Sequence, residues 1–234
     1  MRNYLSKVQE RWFYSLNRMR RGRRGPGKIF CIGRNKTGTT SLESFFRSNG
    51  LRVGNQARAE LLIDDWARGE FGPIVEYCRT AEVFQDVPFS LAHTYAALDQ
   101  AYPDSRFVLT IRSSPEEWYN SLVRFLAQTM MSSSIPPSLA DLERFSYRGV
   151  RKGWLLKTHT LVYGYPAVPL FDKGAYMAHY EAHNAAVIDY FNHRDDLLMV
   201  NLAERDAFER LCRHTGLDPA LARPLPHLNK SRPR

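Results

Sequence analysis

Residues 33 to 41 read Gly33-Arg34-Asn35-Lys36-Thr37-Gly38-Thr39-Thr40-Ser41, and these are residue types that hold phosphate. A glycine-bearing turn between a strand and a helix leaves several backbone N–H groups unpaired at the positive end of the helix dipole. The nucleoside-triphosphatase loop has glycine, four residues, then Gly-Lys-Ser/Thr. Gly33 and Gly38 fit that spacing, but Thr39 stands where the lysine belongs, and the lysine has moved back to Lys36. The order that presents lysine and then a magnesium-binding hydroxyl is therefore broken. The later apolar runs also lack a metal-binding aspartate at their ends, since 107–111 runs into Arg112 and 197–200 into Asn201. A metal-free group transfer, with Lys36 neutralising charge on a leaving oxygen, is the chemistry these parts suit. A turn that binds nothing is the plain alternative.

The surrounding pattern is strand alternating with helix. Residues 28–32 form a short apolar strand. Leu42, Phe45, Phe46 and Asn49 follow at helical spacing, with Asn49-Gly50 as a stop. A second strand is predicted at 81–84, followed by a helix through Leu91, Tyr95 and Leu98. Residues 107–111 make the clearest strand, and Ser114-Pro115-Glu116-Glu117 opens the next helix with an N-cap serine and proline at the first helical position. A last strand at 197–200 precedes a helix through Phe208, Leu211 and Cys212, closed by Gly216. No hairpin signal and no internal repeat is evident. The pattern predicts an α/β fold, a mostly parallel sheet flanked by helices. Residues 129–174, with a Ser/Pro loop and then many Trp, Tyr, Gly and His, read either as an insertion that selects a substrate or as a plain helical elaboration.

The run Lys36-Thr37-Gly38-Thr39-Thr40 after a short strand resembles the 5′-phosphosulfate loop of P-loop sulfotransferases, in their bacterial-type branch. The resemblance implies a P-loop NTPase-like three-layer fold and 3′-phosphoadenosine 5′-phosphosulfate as co-substrate, without metal. It implies that Lys36 meets the bridging oxygen and that Thr37, Gly38, Thr39, Thr40 and Ser41 cradle the 5′-phosphate, with Arg34 and Asn35 completing the nucleotide-binding loop. It also implies that Arg112, at a strand end, and Ser121, on the next helix, hold the 3′-phosphate. An arginine fork suits that dianion. The two residues are nine apart, one more than the family's usual spacing, so either the turn carries an extra residue, as Ser113-Ser114 suggests, or another hydroxyl takes the role. Where cytosolic members carry a histidine base two residues before a proline, this chain has Asp86 before Pro88. Asp86 is thus the implied base, provided its surroundings raise its pKa. A helix cap is its structural alternative, and His93 is the second candidate base. Looser similarity runs from Phe84 to Arg112 and from Tyr180 to Asn229, and Pro226-His227-Leu228-Asn229-Lys230 resembles a late segment of the bacterial branch, with a surface tail as the alternative.

The chain has 234 residues and a formal net charge of +9. Residues 1–28 carry nine basic and one acidic residue, and 223–234 carry four basic and none acidic. The remainder therefore holds 20 basic (33 − 9 − 4) and 23 acidic (24 − 1), a net −3. The positive charge belongs to the ends, which disfavours a nucleic-acid-binding surface. Leu5, Val8, Trp12, Leu16 and Met19 form a helical stripe, so residues 1–27 read as a basic amphipathic helix and linker ahead of a domain at 28–234. That helix docks on its own domain, on a second subunit as in a homodimer, or on an anionic membrane surface. The three cysteines are widely spaced and no secretory signal is visible, so a reducing, cytoplasmic setting is expected. His179 and His183 are four apart but fit no zinc motif, and read as a wet helix face or an acceptor-pocket histidine. Two readings compete with sulfuryl transfer: an ATP- or GTP-dependent kinase with a degenerate loop, and a non-catalytic nucleotide-binding interaction protein. The acceptor hydroxyl (carbohydrate, lipid or small metabolite) is not encoded in any pattern read here.

Overall fold

A computed structural model describes residues 27–226. The proposed N-terminal amphipathic helix and nearly all of the 226–230 segment lie outside the described residues. Among the described residues, two compact units are formed, one by 27–111 with 190–226 and the other by 112–189.

The first unit holds a four-stranded parallel sheet of β1 (Ile29–Cys31), β2 (Val83–Gln85), β3 (Arg106–Thr110) and β6 (Leu197–Val200). Its strand order is β2-β1-β3-β6. Register pairs Ile29 with Val83 and Arg106, and Phe107 with Leu197. Because successive strand residues face opposite ways, the apolar run builds two different layers. On one face Ile29, Cys31, Val83 and Val108 pack with Leu42, Phe45 and Phe46 of helix α1 (Thr39–Ser48) and with Leu211 and Cys212 of α10 (Ala207–Thr215). On the other, Phe30 lies 5.8 Å from Phe84 and 5.5 Å from Phe107, whose ring meets Phe191 at 4.6 Å. This aromatic layer continues to Tyr102, at the end of α5 (Thr94–Ala101). A parallel sheet buried on both faces by helices is the predicted architecture. Short helices α2 (Gln56–Ala59), α3 (Ile63–Ala67) and α4 (Gly72–Tyr77) connect α1 to β2.

The helix boundaries follow the local chemistry. Asn49 closes α1 and Gly50 takes φ 77°, as the Asn-Gly stop requires. Gly216, φ 72°, ends α10. Helix α5, predicted to run through Leu91, begins later, at Thr94, since Leu91 sits in the turn that Thr94 N–H closes onto its carbonyl.

The second unit contains α6 (Pro115–Met130), α7 (Leu139–Arg144), α8 (Trp154–Tyr163) and α9 (Lys173–Tyr190). Ser114 caps α6 by accepting the Glu117 N–H at 3.0 Å, and Pro115 occupies the first turn. One element departs from expectation: β4 (Ser146–Tyr147) and β5 (Arg151–Lys152) form a two-residue antiparallel hairpin. Its turn carries Arg148 at φ 54° and Gly149 at φ 75°. The aromatic-rich stretch gathers around Tyr176, which stacks on Tyr163 at 4.0 Å and bonds His159 Nδ1 through its hydroxyl at 2.7 Å. Among the described residues, no helix is long and apolar enough to cross a membrane. Cys31, Cys78 and Cys212 are buried free thiols.

Candidate active site

The loop at 33–38 is shaped by two close approaches. Ile32 N–H bonds Val108 O, which brings Gly33 against β3. A Cβ on Gly33 would stand 2.5 Å from Thr110 O and 2.6 Å from Thr110 N. Gly33→Ala is therefore expected to destabilise the protein by about 1–3 kcal/mol through overpacking. Each kcal/mol lowers the thermal midpoint by roughly 2–4 °C in a chain of this size, which calorimetry or circular dichroism reads directly. Lys36 (φ 69°) and Gly38 (φ 110°) both take left-handed backbone, turning the chain sharply into α1. At Lys36 that conformation is uncommon for a residue with a side chain, and such strain concentrates at functional turns.

Thr37 pins the loop from inside. Its buried hydroxyl donates to Arg34 O at 2.6 Å and accepts from the Thr110 hydroxyl at 2.6 Å. Arg34, also buried, reaches Ser90 O at 3.1 Å. The first turn of α1 has no side-chain cap. A helix start leaves its first N–H groups without intrahelical partners, so those of Thr39 and Thr40 are suited to an anion. With Lys36 in the same turn, the donors are of the right kind for a phosphate group.

Asp86 follows β2 directly and is tied to this turn. Thr39 Oγ1 donates to Asp86 Oδ2 at 3.3 Å, and Val87 N–H donates to Oδ1 at 2.9 Å. Asp86 itself has φ 61°, and its carbonyl accepts Ser90 N–H at 2.9 Å. The cap of α5 is His93, so Asp86 is not a helix cap. Burial pushes the Asp86 carboxyl above its ordinary range, and the buried Glu60 carboxylate adds to the rise. The Val87 and Thr39 hydrogen bonds and the Arg34 charge pull partly the other way. Gln56 helps to hold the segment carrying Glu60, donating to Val87 O at 2.7 Å. Nothing in the sequence points to Glu60, since a lone glutamate on a short helical stretch carries no signal.

A protonation test follows from this arrangement. Removing the Glu60 charge in Glu60→Gln takes away one influence that raises Asp86, while burial remains. The acid limb of any Asp86-dependent rate should therefore move to lower pH, as a pH–rate profile would show. A limb that stays in place would dissociate the two carboxyls.

His93, the other candidate base, is exposed at the start of α5 with φ 63°. In the second unit, Arg112 gives its backbone N–H to the Tyr180 hydroxyl at 3.0 Å, and its guanidinium meets Glu117 Oε1 at 3.1 Å. Glu117 Oε2 also accepts Ser113 N–H at 3.1 Å, so this glutamate braces the turn rather than closing a capping box. Tyr180 is itself fixed by stacking on Trp118 at 4.7 Å. Ser121 is half-buried on α6, two turns in. His183 is buried, and His179 meets the Tyr163 ring at 5.0 Å. Among the described residues, no three His, Cys, Asp or Glu side chains cluster as a metal site would.

Residues 28–233 match the family model described as a sulfotransferase domain. The chain belongs to the sulfotransferase family. The match spans residues 33–41, the segment carrying Asp86, and Arg112 to Ser121, so the strand–turn–helix built around Lys36 is part of a sulfotransferase domain. No curated protein matches this sulfotransferase. As a member of the family it is a transferase, and sulfuryl transfer is its general chemistry.

Proposed function

We propose that this sulfotransferase moves a sulfuryl group from 3′-phosphoadenosine 5′-phosphosulfate to an acceptor hydroxyl, in line and with Asp86 as base. The observation that carries this reading is the bond from Thr39 to Asp86, which joins the anion-binding turn to a carboxyl of raised pKa. When bound, the donor supplies an activated sulfuryl group attached through an oxygen of its 5′-phosphate. The N–H groups at the start of α1 hold that phosphate. Lys36 neutralises the charge that grows on the departing oxygen. Asp86 accepts the acceptor hydroxyl proton, and the Thr39 hydroxyl and Val87 N–H fix which carboxylate edge is presented. A raised pKa serves this role, because a base works best when its proton affinity approaches that of the working solution.

Arg112 and Ser121 take the 3′-phosphate in this reading, with the Arg112–Glu117 pair opening to admit it. That pair is partly solvated, with side chains 28% and 44% exposed, so little is lost on exchanging Glu117 for a dianion. The acceptor is a hydroxyl-bearing carbohydrate, lipid or small metabolite.

The test is transfer of label from ³⁵S-labelled donor to a panel of alcohols, with a chelator present. Labelled sulfate ester is the expected product. Transfer of the γ-phosphate of ATP in magnesium, without sulfate transfer, would assign the site to a kinase.

A further inference from the structure

We propose that the end of the sheet away from the phosphate loop carries a second anion site, for a compact sulfate or phosphate monoester. This does not rest on the reaction proposed for the loop. A cleft of about 260 Å³ is lined by Arg47, Arg52, Arg58, Asn55, Tyr77 and Thr80, with Gly54 and Ala81 between them. The strands are parallel, and the phosphate loop follows the C-terminal end of β1. Arg47 is in the last turn of α1, and Thr80 and Ala81 come just before β2, so the cleft belongs to the opposite end of the strands.

Three arginines line one concavity and no lining residue is acidic. They do so in a body, 29–222, whose formal charge is negative. Their carboxylate partners stand outside the lining, and the pairs are solvated, the Arg47 and Arg52 side chains being 45% and 54% exposed. Arg47 pairs with Glu43, one turn back on the same exposed helix face, at 3.0 Å. Arg52 Nε is 3.7 Å from Glu82 Oε2, an oxygen that also accepts the Arg52 amide at 3.0 Å. Arg58 has no carboxylate within 4.0 Å among the described residues. Exposed pairs of this kind are worth about 0–1 kcal/mol, so Arg47 and Arg52 can turn to a dianion with little loss. Bidentate guanidinium forks are the groups that recognise tetrahedral oxyanions best.

The walls are fixed independently of any ligand. Val53 bridges to Val83, Gly54 N–H bonds Val83 O at 2.9 Å, and the Tyr77 hydroxyl donates to Asn55 O at 2.8 Å. Thr80 turns its hydroxyl to Tyr77 O at 2.8 Å. The volume lies just below the roughly 300–1,000 Å³ of pockets for drug-sized ligands. It suits an oxyanion with a small organic group rather than a nucleotide.

Titration calorimetry of the full chain with sodium sulfate and with glucose 6-sulfate tests the site. The expected result is a binding event retained in Lys36→Ala and weakened at least about tenfold in Arg58→Gln, which loses a charge-assisted bond. The double variant Arg47→Gln/Arg52→Gln should weaken it similarly, and all three positions are exposed, so folding should survive, as an unchanged thermal midpoint would show. Tighter binding of the sugar ester than of sulfate would make the ester the natural ligand, and equal binding would make the free oxyanion sufficient. No binding of either, or binding lost in Lys36→Ala and unchanged in Arg58→Gln, overturns the proposal. Sulfate transfer from the labelled donor stands or falls separately.

Discussion

Replacing Lys36 by alanine is expected to lower turnover by about 10²–10³-fold, the loss seen when one preorganised donor is removed from a developing oxyanion. Lys36 is the lysine of the turn that enters α1, and left-handed residues at 36 and 38 shape that turn. The fold should not depend on the amine. Alanine meets the same positive-φ strain as lysine, so the thermal midpoint should hold within a few degrees. Affinity for 3′,5′-adenosine bisphosphate should weaken as well, since the 5′-phosphate loses a counter-charge. Steady-state kinetics beside calorimetry of the folded variant would separate these effects. Unchanged turnover would remove Lys36 from the chemistry.

Asp86→Asn is expected to cut turnover by about 10²–10⁴-fold, the usual contribution of a positioned base, while adenosine bisphosphate binding persists. The amide keeps the shape of the side chain and can still accept from Thr39 or Val87. It cannot take a proton from an alcohol. The stability consequence has a definite sign. Because the folded state raises the Asp86 pKa, stability falls as pH climbs from the unfolded-state value through the raised one, as the buried group ionises. The asparagine variant escapes that loss. At neutral pH it should be at least as stable as the wild type, and the difference should vanish in acid, as melts across pH would show. A near-normal rate in Asp86→Asn would shift the role to His93, although that residue is exposed.

The strand, turn and helix around Lys36 were legible in sequence because they are local. A short apolar strand, two glycines and a run of hydroxyls lie within nine residues, and backbone rules alone turn that string into a strand, a tight loop and an uncapped helix start. The Asn49-Gly50 stop, the Ser114 cap and the Gly216 terminator were readable for the same reason. What surrounds Asp86 was not. The Thr39 contact spans 47 residues and the Gln56–Val87 contact 31, and no periodicity encodes such meetings. Glu60 is buried by tertiary packing, against the habit of its residue type, and only the folded chain reveals its charge beside Asp86. The β4–β5 hairpin escaped because its strands are two residues long and its turn uses Arg148-Gly149, not the Asn-Gly or Asp-Gly that usually marks positive φ. The Arg47–Arg52–Arg58 cleft was invisible as well, since three scattered arginines read as ordinary solvated charge until the chain folds them around one space.

The most direct measurement is calorimetric titration of 3′,5′-adenosine bisphosphate into the wild-type protein and Lys36→Ala, with a chelator present and magnesium–ATP as the comparison ligand. Saturable binding of the bisphosphate by the wild type, weaker in the variant and stronger than that of magnesium–ATP, is the predicted result. Tight binding of magnesium–ATP alongside indifference to the bisphosphate would contradict a sulfuryl-donor site built on this turn.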